Sequence, residues 1–332
     1  MGTVVTIDVV PDPAHHSRHL DLQAAVERAI GWFFRIEECC SRFDAQSEAR
    51  QLTLRTGVAV RVSEILYEAV QFALGVAEES DGAFDPTIGQ AMEARGFDRD
   101  YRTGQRVRSA LETEGLVSYH DVRLDPVEKT ITLLRPLVLD LGAVAKGLAT
   151  DMAARELQPF ENFLIDAGGD LYLGGLNAES EPWSVGIRHP RLDDTLIATL
   201  RVSNAAVCTS GDYERRTPQP GHGHHIIDPR TGHSADAVAS VTVVAPTAMA
   251  ADGLATAAFV LGSAAGIELL ERQGVDGLIV SPTLESFATR GLYRDGSTIF
   301  SHTERTAHHR PGDTGGPGNA GTGAHADRAG TG

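Results

Sequence analysis

The sequence predicts a single large α+β domain, mainly antiparallel sheet with packed helices, followed by a disordered C-terminal tail. Three observations predict it. Strand-like segments come in runs instead of alternating strictly with helical ones, which argues against a doubly wound parallel sheet. Apolar residues recur at helical spacing in only a few stretches. From Ser301 onward the chain is rich in Gly, Pro, Thr and His and nearly free of apolar residues, so it buries too little to offset its ordering entropy. Residues 1–300 carry no fixed-period repeat and no linker, so they form one expected domain, with 301–332 as the tail.

The elements follow in order. Val4 to Val10 alternates as a strand. Leu22, Val26, Ala29, Ile30 and Phe33 recur at helical spacing, as do Ile65, Leu66, Ala69, Val70, Ala73 and Leu74. Val122–Leu124, a turn at Asp125-Pro126, and Thr130–Leu134 read as a hairpin. Phe163–Asp166, Ser184–Ile187, Leu196–Val202, Ser240–Val244 and Gly277–Val280 read as strands, and Ala145–Leu157 and Gly253–Arg272 as helices. His302, His308, His309 and His325 in the tail are expected to be solvated, with at most adventitious metal binding.

Composition excludes several functions. The 332 residues carry 29 Lys plus Arg against 45 Asp plus Glu, a net charge of −16. Such a chain has no field to hold a nucleic acid. If it handles a phosphate compound, it must concentrate positive charge locally or borrow it from a metal. A hydrophobic content of 42% supports a real core. Three cysteines, with Cys39 and Cys40 adjacent, exclude a disulfide scaffold and fit a reducing compartment. With no leader-like start and no uncharged run of membrane-spanning length, a cytoplasmic protein without a membrane span is expected.

Four segments are hard to explain by packing alone. In Asp81–Thr87, Gly82 lets backbone approach a ligand, and Asp85 before Pro86 is held extended with a free carboxylate; an ordinary turn is the alternative. In Leu137–Gly147, Asp140 and Lys146 are the only charges on an apolar strand–turn–helix segment. They suit a phosphate site at a helix start, or a structural ion pair with each other. His222, His224 and His225 precede an Asp-Pro-Arg-Thr-Gly turn. Their spacing fits no standard zinc set, so an acid/base or phosphate-binding histidine is the stronger reading, and a turn histidine the alternative. Asp252 is the sole charge between Ala237 and Ile267, at the expected start of a helix. It is either an N-cap or, with Thr256 one helical turn on, a hard-oxygen pair suited to Mg²⁺.

Taken together, these segments resemble the ApbE family of FAD:protein FMN transferases. The resemblance is carried by Met1-Gly2-Thr3, Ser41-Arg42-Phe43, Gly82-Ala83-Phe84-Asp85-Pro86, Leu139–Gly147, Asp166–Leu171, Thr209–Tyr213, His225–Gly232 and Ala251–Thr256, in that order. It implies an ApbE or T-fold-like domain that transfers the FMN half of FAD to a Thr or Ser hydroxyl of a target flavoprotein, releasing AMP. It also implies Mg²⁺ held by the Ala143 carbonyl, Asp252 and Thr256, and FAD contacted by Met1, Phe43, Ala83, Phe84, Asp85, Asp140, Lys146 and Ile227. His225 would be the catalytic histidine. Phe43 stands where family members often carry Tyr. Many relatives have an export leader before the Met-Gly-Thr motif, which here begins the chain. The rival expectations are a metal-dependent FAD pyrophosphatase, a non-catalytic FAD-binding protein, and a structural domain in which Asp252 only caps a helix.

Overall fold

The computed structural model describes residues 2–10, 19–112, 115–215, 223–295 and 298–300. Met1, His222 and the expected tail lie outside them. The first half runs β1 (Val5–Val9), α1 (His19–Cys40), α2 (Glu48–Thr53), β2 (Val60–Arg61), α3 (Glu64–Glu79), α4 (Gly89–Ala94), β3 (Val122–Asp125), β4 (Thr130–Leu133) and α5 (Gly142–Leu157). The second half begins with β5 (Phe163–Ala167), β6 (Leu171–Gly174), β7 (Trp183–Arg188), β8 (Leu196–Val202), β9 (Ala205–Gly211), β10 (Ile227–Asp228), β11 (His233–Ser234) and β12 (Ser240–Ala245). It closes with α6 (Ala248–Leu261), α7 (Ser263–Arg272), β13 (Asp276–Val280), β14 (Ser286–Ala288), β15 (Tyr293–Asp295) and β16 (Thr298–Phe300).

A seven-stranded sheet in the order β1-β5-β6-β9-β12-β13-β14 is the spine, and every pair in it is antiparallel. The α+β expectation therefore holds. A four-stranded sheet, β15-β16-β8-β7, includes one parallel pair, β16 with β8, and a three-stranded sheet, β2-β4-β3, contains the expected hairpin.

Side chains alternate across a strand, and this sorts the core into two layers. On β12, Val241, Val243 and Ala245 pack into the cluster formed with α1, α3, α5 and α6. Val244 turns the other way, into a second cluster with Val185, Ile187, Leu200 and Leu278 beneath the four-stranded sheet. β9 divides likewise, Ala206 and Cys208 toward the helices, Ala205 and Val207 toward the small sheet. Both strands are buried on both faces, so they lack the alternation that marks a half-exposed strand. β12 still shows itself by its run of β-branched residues, whereas β9, AAVCTSG, is mostly small residues and escaped the sequence pattern.

Two expectations about α6 need correction. The helix anticipated over Gly253–Arg272 is two helices, broken at Gly262, whose φ of +83° is a left-handed conformation that ends α6. Its start lies earlier: Thr247, not Asp252, is the N-cap, its side chain accepting from the Ala250 N–H at 3.2 Å. Asp252 sits one turn inside the helix and is buried.

α5 and α6 cross at near-zero clearance. A Cβ on Gly147 would stand 2.5 Å from the Met249 backbone nitrogen. One turn along α5, Asp151 accepts from the Ala248 and Met249 N–H groups at 2.6 and 3.0 Å, anchoring the first turn of α6. Burial pushes the Asp151 carboxyl up to about 6 despite those two bonds. Among the described residues no helix is long and apolar enough to cross a membrane.

The crossing supplies a stability test. Gly147→Ala should destabilise the fold by about 1–3 kcal/mol, because the added methyl meets backbone and not a movable side-chain end. The urea midpoint reports it, and an unchanged midpoint contradicts the packing described.

Candidate functional site

The N-terminus of α5, the inner face of α6, the ends of β5 and β9 and the turns at 41–43, 83–85 and 225–227 converge on one cavity of about 740 Å³. That volume lies within the roughly 300–1,000 Å³ typical of small-molecule sites. Phe43, Ala83, Phe84, Asp85, Asp140 and Ala143 line it, as do Lys146, His225, Ile227, Asp252 and Thr256. The structure thus brings together every site residue anticipated from sequence except Met1, which lies outside the described residues.

The pairing of charges differs from the expected one. Asp140 and Lys146 do not pair with each other. Arg42, buried beside Phe43, donates from Nε to Asp140 Oδ2 at 2.7 Å and from Nη2 to the Phe97 carbonyl at 2.6 Å. Its guanidinium also lies over the Phe43 ring at 4.1 Å. One cation therefore ties three walls of the cavity. Burial alone would raise the Asp140 carboxyl, but Arg42 and the Gly142 N–H, donating at 2.9 Å, hold it below the usual carboxylate range. Asp85 is not free either. It accepts from the Thr87 N–H, the Thr87 hydroxyl and the Tyr119 N–H at 2.8, 2.7 and 2.9 Å, while burial pushes its carboxyl up. Both carboxylates are engaged in holding turns in place.

Lys146 instead faces Asp170, which it hydrogen-bonds, and Asp252, whose Oδ2 lies 4.0 Å from Nζ. Burial would lower the ammonium, but the two carboxylates raise it well above its ordinary value. The group holds two carboxylates for one cation. Asp252 carries the strain: burial, then the Asp170 charge, pushes its carboxyl up, and its Oδ2 is sealed from solvent with no hydrogen-bond partner. A carboxyl held in this way either keeps a proton or is completed by further positive charge.

The neighbouring oxygens fit a hard divalent cation. Thr256 Oγ1, on the same face of α6 as Asp252, lies 3.2 Å from Ser210 Oγ. Ala143 departs from helical geometry, at φ −90° and ψ 15°, which turns its carbonyl off the axis of α5. That oxygen lies 3.8 Å from the Cβ position of Gly253, beside Asp252. Among the described residues no three His, Cys, Asp or Glu side chains gather as metal ligands. A cation here would therefore rely on carboxylate, hydroxyl and carbonyl oxygens.

The two histidines of the turn have separate roles. His224 is buried, bonded at Nε2 to the Ala235 carbonyl at 2.7 Å, with Nδ1 accepting from the Ile226 N–H at 3.2 Å. It holds the turn. His225 faces the cavity, and its Nδ1 is buried without a partner. Burial, then the Arg215 charge, lowers it to about 4, so the ring is neutral at pH 7.

Asp170 and Arg42 were quoted in motifs but given no role by the sequence. Asp170 follows the turn at Gly168 and Gly169, with φ of +68° and +95°. A carboxylate directly after two glycines and ahead of an apolar strand is the signal that marks it.

A family model described as "ApbE family" matches residues 1–279. The chain is 32% identical over 295 residues to an FAD:protein FMN transferase of Treponema pallidum, covering 82% of this chain and 81% of the relative. It is 28% identical over 263 residues to the Haemophilus influenzae protein of the same name, covering 75% and 76%. Among solved structures, the ApbE protein from Thermotoga maritima superposes with a TM-score of 0.72 at 32% identity, over 87% of this chain and 93% of that one. The flavin transferase ApbE from Vibrio cholerae gives 0.73 at 27%, over 87% and 94%.

The half-buried ring of His225 makes stability depend on pH. Its ordinary value is 6.5 and the folded value about 4, so between them the unfolded chain binds a proton that the folded chain refuses. Stability falls as pH drops through that window. His225→Gln should flatten this limb, measured as urea midpoints at pH 7 and pH 5. An identical slope in both proteins would contradict the environment assigned to the ring.

Proposed function

The chain belongs to the ApbE family, and on that footing we propose that it is a Mg²⁺-dependent FAD:protein FMN transferase. It would move the FMN half of FAD to a Thr or Ser hydroxyl of an acceptor flavoprotein and release AMP. The observation that carries the reading is the orphaned Asp252 oxygen beside Asp170 at the wall of a nucleotide-sized cavity. Mg²⁺ would be held by the Ala143 carbonyl, Asp252 and Thr256. When bound, it would add positive charge beside Lys146 against a diphosphate.

FAD would lie against Phe43, Ala83, Phe84 and Ile227, with its diphosphate toward Lys146. Asp85 and Asp140, acceptor-only carboxylates that hold their turns in place, would contact FAD away from its phosphates. In the transfer, the acceptor hydroxyl oxygen bonds the FMN-side phosphorus, and the bond from that phosphorus to the AMP oxygen breaks. Positioning and charge account for most of the barrier reduction in such a reaction. His225, neutral at pH 7 and lining the cavity, would orient the hydroxyl and receive its proton as the new bond forms. The free cysteines Cys39, Cys40 and Cys208 support a cytoplasmic placement.

Incubation with FAD and Mg²⁺, with and without an acceptor flavoprotein, tests the function. Yellow fluorescence that stays on the denatured acceptor, with AMP released, is the expected result. AMP formed equally well without acceptor would instead mark a pyrophosphatase, and FAD bound but intact a carrier. His225→Ala should lower the transfer rate by about 10²–10⁴. Asp252→Ala should abolish metal-dependent turnover, and turnover that survives a chelator would refute the metal assignment.

A further inference from the structure

β7 is an edge strand: β8 occupies one side, and among the described residues its other side makes no backbone hydrogen bond. Its relation to the cavity is unusual for a strand. When one face of a strand lines a cavity, alternate residues do so, because side chains alternate with a period of two. Here four consecutive residues, Val185, Gly186, Ile187 and Arg188, line it. The cavity therefore runs along the unpaired edge of β7. Val185 and Ile187 point into the core, while Ser184 and Gly186 are exposed and small.

Natural sheets protect open edges with lysine, proline or inward charge. From Trp183 to Ile187 this edge has none of them, and its first charge is Arg188, where a register shift ends regular pairing with β8. Among the described residues, the edge strands β1, β14 and β3 place no residue in the cavity.

Resting on the transferase reading, we infer that the free edge of β7 receives an extended segment of the acceptor polypeptide as an added strand. Main-chain hydrogen bonds to β7 hold the segment, its alternate side chains set selectivity, and its Thr or Ser hydroxyl is delivered into the cavity. The partner is thus an unpaired or locally opened stretch of chain, not the surface of a folded helix.

Short synthetic peptides, randomised around one Thr, are incubated with the full chain, FAD and Mg²⁺, and FAD binding is followed in parallel. Flavin on peptides whose side-chain preference falls at every second position supports the proposal. A walk of single N-methyl groups along the best peptide should lower kcat/KM about tenfold at alternate amides and leave the amides between them nearly unaffected. Transfer without that alternation overturns the docking mode and leaves the transferase reading intact. So does labelling of a folded acceptor when no peptide is labelled. If FAD is neither bound nor split, the transferase reading fails, and the docking proposal with it.

Discussion

Two carboxylates and one ammonium meet where α5 crosses α6, and the rest of the site is arranged around that imbalance. Lys146 satisfies Asp170, while Asp252 keeps a buried oxygen without a partner. A protein interior relieves such an excess by protonation or by an added cation. The chain carries a net charge of −16, so any affinity for a diphosphate would have to be local. A half-buried Lys and a hard-oxygen pocket would provide that locality without a basic surface.

The imbalance stays in place because the elements around it cannot shift independently. Gly147 lets α5 touch the backbone of α6, and Asp151 grips the first turn of α6. Arg42 ties the opposite wall by joining the Asp140 turn to the Phe97 segment. Each of these contacts spends a charged or conformationally special residue on shape, leaving Lys146, His225, Asp252 and Thr256 to face the cavity. Preorganisation of this kind is what phosphoryl transfer asks of a protein.

How much of this the sequence disclosed varied with the kind of signal. The hairpin of β3 and β4, the edge strand β1 and the helices α1 and α3 were legible because half-buried elements show their periodicity. β9 was not, since burial on both faces removes the alternation and its mostly small residues lack the β-branched run that marked β12. The α6 start was misplaced because the conspicuous Asp252 outweighed Thr247, whose capping role follows from position and not from charge. Site residues were legible as motifs, but their partners were not. Asp140 and Lys146 are close in sequence, yet each pairs with a residue brought from elsewhere by the fold, Arg42 in one case and Asp170 in the other.

The period-two sorting on β9 also governs what changes the gene can bear. Thr209 stands opposite Thr242, their hydroxyls 2.9 Å apart, while Ser210 turns to the other side to meet Thr256. Inserting or deleting one codon within β9 would exchange those faces and hand each hydroxyl to the wrong layer. Length variation across descendants of this sequence should accordingly collect in the connections between strands, with the spine inherited at constant length.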